Sequence, residues 1–174
     1  MDKKMYSQPL SLRSVQVSDA FWKQEMELVR KEVIPYQWEA LNDRVEGAAP
    51  SYAMRNFRVA AKKNQERKEL GAAFQGFETL SEELDSLEDR FYGCVFQDSD
   101  FSKWIEAVGY SLNQHPDPEL ERIADGAIDL VCAAQQEDGY LDTYYIINGK
   151  NKIFTNLRDH HELYCMGHLI EGAV

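Results

Sequence analysis

Two apolar-periodic segments, separated by one short proline-studded turn, constrain this chain more than any other feature. From Asp98-Ser99-Asp100 the pattern runs through Trp104, Ile105, Val108 and Leu112, the three-and-four spacing of one buried helical face. Gln114-His115-Pro116-Asp117-Pro118 ends that helix and starts another, with Pro118 suited to a first turn, where its missing N–H costs nothing. The second segment carries Leu120, Ile123, Ala127, Leu130, Val131 and Ala134. Glu137-Asp138-Gly139 then puts a glycine in the C-cap region. Helices joined so tightly are expected to pack as antiparallel neighbours.

The rest of the chain extends the same pattern. Residues 1–18 alternate loosely and are expected to form an extended arm or short strand. Ser18 and Asp19 are cap-type residues, and Phe21, Met26, Leu28, Val29 and Val33 offer an apolar face, with Pro35 kinking or restarting that helix. Tyr36, Trp38 and Leu41 continue it to a break at Gly47-Ala48-Ala49-Pro50. Residues 51–63 read as a further short helix, 64–93 as polar and ambiguous. The acidic run from Glu78 to Arg90 reads as a solvated face, with a cation site as the alternative. Tyr140 to Leu157 reads as a long aromatic loop. With no βαβ alternation, no phosphate-type glycine loop and no long strand pattern, the fold class is expected to be all-α. The long loops are expected to gather on one rim, where function tends to sit.

Charge narrows the partners. A net charge of −11 over 174 residues repels phosphate backbones and anionic lipid, so neither nucleic acid nor a membrane surface is an expected partner. Neutral ligands such as sugars fit. No apolar run reaches the roughly 18 residues of a membrane span, and the N-terminus has no apolar signal core. Three cysteines, odd in number and far apart, argue against a disulfide framework and fit a reducing cytoplasm.

Candidate chemistry concentrates in the last sixteen residues, from Asp159 to Val174, which hold three of the four histidines. Asp159 and Glu162 have capping-box spacing, and Leu163, Met166, Ile170 and Val174 recur as one buried face. His161 falls in the first turn, where a side chain can meet a ligand. His161, Cys165 and His168 share a helical face and could reach one zinc ion, with Glu162 or His160 as a fourth ligand; plain packing produces the same spacing. Gln135-Gln136-Glu137-Asp138-Gly139-Tyr140-Leu141-Asp142-Thr143-Tyr144-Tyr145 mixes carboxylates, amides and tyrosines, which suits polyhydroxylated ligands and equally suits a helix cap and structured turn. Asp98 and Asp100 read as caps of their own helix, or as an acid–base pair whose opposite wall local sequence cannot supply. Cys94 and Cys132 read as inert core residues, Cys132 especially.

Several of these stretches converge. Phe21-Trp22-Lys23 with Val33-Ile34-Pro35-Tyr36-Gln37-Trp38 resembles the start of glycoside hydrolase family 127, the β-L-arabinofuranosidase family. So do Val95-Phe96-Gln97-Asp98-Ser99-Asp100 followed by Lys103-Trp104, and His115-Pro116-Asp117-Pro118-Glu119-Leu120. Ala134 through Thr143, and His161-Glu162-Leu163-Tyr164-Cys165-Met166-Gly167-His168, complete an ordered match from about Val15 to Val174.

The resemblance implies an (α/α)6 barrel, of which this chain holds roughly the first five helices: an arm over 1–18, then a barrel portion over 19–174. It implies removal of terminal β-L-arabinofuranose with retention, so an L-arabinofuranoside-containing carbohydrate is the expected substrate. It also implies zinc, held by three cysteines and a glutamate, one cysteine being the nucleophile, with a separate glutamate as acid/base. Those residues belong to later family motifs, so no catalytic residue and no metal ligand is expected here. Cys165 is not one of the zinc cysteines. The histidine of the His-Glu-Leu-Tyr motif contacts sugar in the family and corresponds to His161. The chain is therefore expected to be an N-terminal fragment, inactive alone, with the absent C-terminal part as a further partner. The rival readings are a non-catalytic helical carbohydrate-binding or interaction module, and an (α/α)6 enzyme acting on unsaturated uronides, whose basic rim this acidic sequence does not supply.

Overall fold

The computed structural model describes residue 8, residues 10–68 and residues 88–174. Its described residues are helical, with no strand among them. Of the expected arm, residues 1–7 and 9 lie outside the described residues; a 3-10 turn at Leu12–Ser14 stands between extended Ser11 and Val15. The acidic run from Glu78 to Arg90 lies outside them as far as residue 87.

Helix α1 (Ala20–Leu28) starts where Asp19 accepts from the Trp22 N–H at 3.1 Å. It runs through a π turn, Val29–Val33, into α2 (Ile34–Leu41). Pro35 has no N–H to offer the carbonyl four residues back, and the wide turn absorbs that loss without a break. Then follow α3 (Ala53–Lys68), α4 (Asp98–Gln114), α5 (Pro118–Ala134), α6 (Thr143–Asn148), a 3-10 turn (Lys150–Lys152) and α7 (Glu162–Ala173). Asp117 caps α5, accepting from the Glu119 and Leu120 N–H groups, with Pro118 at the first turn as its sequence dictates. Among the described residues no helix is long and apolar enough to cross a membrane.

The core lies where α3, α4, α5 and α6 meet. Met54, Phe57 and Ala60 of α3 face Phe101, Trp104 and Val108 of α4, Leu130 and Ala134 of α5, and Ile146 of α6. Phe57 meets Phe101 edge-on at 5.6 Å, and Trp104 stacks on Trp38 at 4.5 Å while its N–H donates to the Ile34 carbonyl. Polar groups on α3 grip the loops beyond. Asn56 exchanges hydrogen bonds with the Tyr92 backbone, and Arg55 donates to the Glu88 and Arg90 carbonyls. Asn64 donates to the carbonyls of Ala133, Ala134 and Gln135, closing the end of α5.

Several expectations are corrected here. The expected face of α1 is exposed at Phe21, Trp22, Leu28 and Val29; α1 buries nothing, and the core begins at Ile34. The stripe of α7 is exposed too: Leu163, Met166, Ile170 and Val174 face outward. The face turned to α4 carries smaller groups, because the backbones approach so closely that a Cβ at Gly172 would lie 2.7 Å from the Ser102 carbonyl oxygen. No capping box forms at α7, since Glu162 turns inward, away from the Asp159 backbone. The loop after α5 is not wholly irregular: Asp142 caps a short helix, α6, which Gly149 ends at φ 120°. Gly139, at φ 88°, sits in a turn closed by Gly139 N–H to Gln136 rather than at the α5 C-cap, which is Gln135. Cys94 and Cys132 are exposed, not core; the burying face of α5 runs through Leu130, Val131 and Ala134 and leaves Cys132 outward.

Candidate functional site

The first turns of α4 build a cavity of about 350 Å³ with Gln37 of α2 and Ser51 of the preceding loop. Gln97, Asp100 and Lys103 supply its other polar groups, and Ala40, Leu41 and Trp104 its apolar lining. Asp43 fixes the Ser51 turn by accepting from the Ser51 and Tyr52 N–H groups. Gln97 bridges, with its Oε1 accepting from the Cys94 N–H at 3.2 Å and its Nε2 donating to Asp100 at 2.6 Å. Burial pushes the Asp100 carboxyl up, against the pull of Lys103. Lys103 donates to Ser99 Oγ at 3.3 Å and to Tyr164 OH at 2.8 Å, with its ammonium 5.1 Å from the Tyr164 ring centre. Amides, a carboxylate, an ammonium and a hydroxyl around one small cavity offer the paired donors and acceptors that a polyol needs.

Tyr164 links that cavity to His161. The His161 ring lies edge-on to Tyr164 at 5.9 Å and to Phe96 at 5.3 Å. His161 is the N-cap of α7 and adopts a left-handed backbone, φ 56°, ψ 24°. Non-glycine residues hold that conformation only where surroundings enforce it. On one side His160 Nδ1 hydrogen-bonds Tyr145 OH at 2.7 Å. On the other, the buried Glu162 accepts from Tyr140 OH at 2.6 Å and from the Phe154 N–H at 3.0 Å.

Beneath the rim three carboxylates converge. Asp98 does not cap its own helix, as its position suggested. It reaches across to α6, accepting from the Thr143 N–H at 2.7 Å and the Thr143 hydroxyl at 2.5 Å. Asp142 caps α6 through one oxygen, and its other oxygen is buried without a partner. Burial pushes the Asp98 carboxyl up to about 6, despite the Thr143 bonds. Burial, then the charge of Asp98, pushes Asp142 up to about 7. Tyr140 is driven well above the usual phenol range by burial and by its bond to Glu162.

The suggested zinc helix does not assemble. Cys165 turns inward to α4, and burial pushes its thiol up to about 12, the reverse of a metal-held thiolate. His168 packs edge-on to Tyr164 at 4.5 Å. Among the described residues no group of three or more His, Cys, Asp or Glu is arranged to hold a metal ion. Asp98 and Asp100 do not form an acid–base pair across a cleft: one is buried against Thr143, the other lines the cavity. In the stretch from Gln135 to Tyr145, Tyr140, Asp142 and Tyr145 support the rim from below. Sequence reasoning missed Lys103, Gln37 and the inward Glu162. Lys103 and Tyr164 are sixty-one positions apart, so no local spacing could pair them.

Residues 14–174 match the family described as the β-L-arabinofuranosidase, GH127 catalytic domain. The chain is 39% identical over 165 residues to the non-reducing end β-L-arabinofuranosidase of Bifidobacterium longum subsp. longum, which covers 92% of this chain and 23% of that protein. The crystal structure of Ara127N, a GH127 β-L-arabinofuranosidase from Geobacillus stearothermophilus T6, superposes with a TM-score of 0.74 at 51% identity, over 91% of this chain and 21% of that one. Another solved GH127 β-arabinofuranosidase superposes with a TM-score of 0.69 at 28% identity, over 95% of this chain and 23% of that one. The chain thus spans less than a quarter of the length of these relatives.

Proposed function

The chain belongs to the GH127 β-L-arabinofuranosidase catalytic-domain family, and from that premise we propose that it supplies one sugar-binding wall of a retaining β-L-arabinofuranosidase. Its helices are part of an (α/α)6 barrel, the architecture of its structural neighbours. In this reading residues 19–174 form the barrel portion, His161 contacts the arabinofuranose, and Gln37, Gln97, Asp100 and Lys103 bind its hydroxyls from the adjoining cavity. The observation that supports the reading is the chain of contacts from Lys103, which lines that cavity, through the Tyr164 hydroxyl to the His161 ring beside it. The net charge of −11 suits a neutral sugar and disfavours nucleic acid or anionic lipid. Zinc enters as a cofactor of the complete enzyme, drawing no ligand from the described residues; the zinc-thiolate nucleophile and acid/base glutamate belong to the rest of that enzyme.

The test is titration of the 174-residue chain with methyl β-L-arabinofuranoside, followed by NMR, alongside hydrolysis of p-nitrophenyl β-L-arabinofuranoside with and without zinc. Binding without turnover, weakened about tenfold in His161→Ala as expected for losing one good polar contact, supports the proposal. Unchanged binding in His161→Ala removes the role assigned to His161. Zinc-dependent turnover that disappears in both His161→Ala and Cys165→Ala would overturn the assignment and make the α7 helix itself the active site.

A further inference from the structure

We propose that Glu162, Asp98 and Asp142 are positioning residues: Glu162 is the latch that holds the left-handed turn at His161, and the latch is closed while Asp98 and Asp142 beneath it retain a proton between them. The functional meaning of the latch rests on the sugar-binding reading of His161; its structural test does not.

The argument starts from two backbones. Phe154 (φ 59°) and His161 (φ 56°) are both non-glycine residues in the left-handed region, where an L residue is strained. Both are bound up with Glu162. The Phe154 N–H donates to both carboxylate oxygens, at 3.0 and 3.2 Å, and His161 immediately precedes Glu162 at the head of α7. The Tyr140 hydroxyl donates to the same carboxylate, and the Tyr140 ring meets Phe154 edge-on at 5.7 Å. Glu162 is 3% exposed, so these donors stand where water would otherwise be. One buried carboxylate therefore ties the strained loop residue to the strained helix cap.

The neighbours make this arrangement sensitive to protons. Asp142, at the head of α6, feels the charge of Asp98 at the head of α4 and, more weakly, that of Glu162. Asp100 adds negative charge against Asp98. Tyr140 and Tyr145 face the group from the α6 side, and the Cys165 thiol faces Asp98 and Asp142 from α7. Lys103, on α4, is the cation acting on this region, and its ammonium is engaged by Ser99 and Tyr164. Two buried carboxylates in a dry space resist ionising together, and the proton that Asp98 and Asp142 retain belongs to the pair rather than to one member. The partnerless buried oxygen of Asp142 is a place for it: protonated, that oxygen becomes a donor.

The sign follows from the raised values, about 6 for Asp98 and about 7 for Asp142. Raised carboxylates stabilise the fold below the ordinary carboxylate range, and that contribution is lost as pH climbs through 6 to 7. The latch closes in mild acid and loosens in mild alkali.

The experiment is amide hydrogen exchange on the whole 174-residue chain at about pH 5.5 and about pH 8.5, corrected for base-catalysed intrinsic exchange, with the Phe154 N–H as the reporter. The expected result is at least about a tenfold loss of protection at the higher pH, one pKa unit's worth. In Asp142→Asn, which keeps the cap acceptor and stays neutral, the pH dependence of protection shrinks, leaving only what Asp98 contributes. Equal protection at both pH values in the native chain, or the same pH dependence in Asp142→Asn, overturns the latch. Should Asp142→Asn not fold, Asp98→Asn carries the same expectation, and the native profile alone still decides. The two readings fail separately. A pH-dependent Phe154 amide with no response to sugar sinks only the sugar reading. A sugar response over a pH-independent amide sinks only the latch.

Discussion

Replacing Asn64 by leucine should remove a hydrogen-bonding side chain that joins the central helix α3 to the end of α5 and, beyond it, to the aromatic loop. The last carbonyls of a helix have no partner within it. Here the Asn64 amide serves three of them, at 2.9, 2.8 and 3.1 Å, while its oxygen accepts from Gln136 Nε2 at 2.8 Å. Gln136 in turn accepts from Lys150 at 2.7 Å, so the network reaches the segment leading to His161. Leucine keeps the branched outline with bulkier methyl groups, so no cavity opens, and the polar loss is joined by crowding against the carbonyls. The Ala134 carbonyl keeps a bond from Gln136 at 3.1 Å, and Gln135 is exposed enough for water to replace part of what it loses. What remains is one Gln136 hydrogen bond lost and two weakened carbonyls, about 3–6 kcal/mol at ~1–2 kcal/mol each. Against the ~5–15 kcal/mol of an ordinary domain that is a large fraction. Urea unfolding followed by tryptophan fluorescence measures it, with the slope expected to stay constant. Asn64→Asp should be worse than leucine, because it points a carboxylate at carbonyl oxygens and donates nothing. A leucine variant within about 0.5 kcal/mol of native, or an aspartate variant no worse than leucine, would refute the reasoning and mean that water already satisfies this helix end.

Two further outcomes follow from the same geometry. Gly172→Ala sets a methyl 2.7 Å from the Ser102 carbonyl oxygen and 2.9 Å from Ile105, so α4 and α7 must part; a loss of about 1–3 kcal/mol in thermal or urea unfolding is expected, and an unchanged midpoint would show that the end of α7 yields freely. A thiol reagent should label Cys94 and Cys132 quickly in the folded chain and Cys165 only on unfolding, because Cys165 is buried with its thiol held up at about 12; fast labelling of all three would contradict the packing of α7 on α4.

The periodic helices were the most legible part of the chain. Leu130, Val131 and Ala134 on α5, and Trp104, Ile105 and Val108 on α4, are buried as their spacing demands, because a helix with one apolar stripe has one way to hide it. Asp117 and Pro118 mark the start of α5 by local chemistry alone. His161 was singled out by its place at a helix start and by the motif around it, and it is the N-cap of α7. The contacts of Glu162 and Lys103 were not legible, since their partners Tyr140, Phe154 and Tyr164 are distant in sequence. The apolar stripe on α7 misled for the same reason: periodicity reports that a face is apolar, and only packing decides which face is turned to a neighbour.

The sequence by itself determined where α1 and α5 start, with Asp19 and Asp117 as their caps, and which faces of α4 and α5 are buried, because caps, prolines and periodicity act within a few residues. Only the tertiary structure decided that Asp98 would leave its own helix for Thr143, that Glu162 would forgo a capping box for Phe154 and Tyr140, and that Lys103 would meet Tyr164. Those choices depend on the approach of α4, α6 and α7 in a water-poor space. There an unpaired carboxylate costs more than any local bond returns, so each turns to whichever donor the fold brings near.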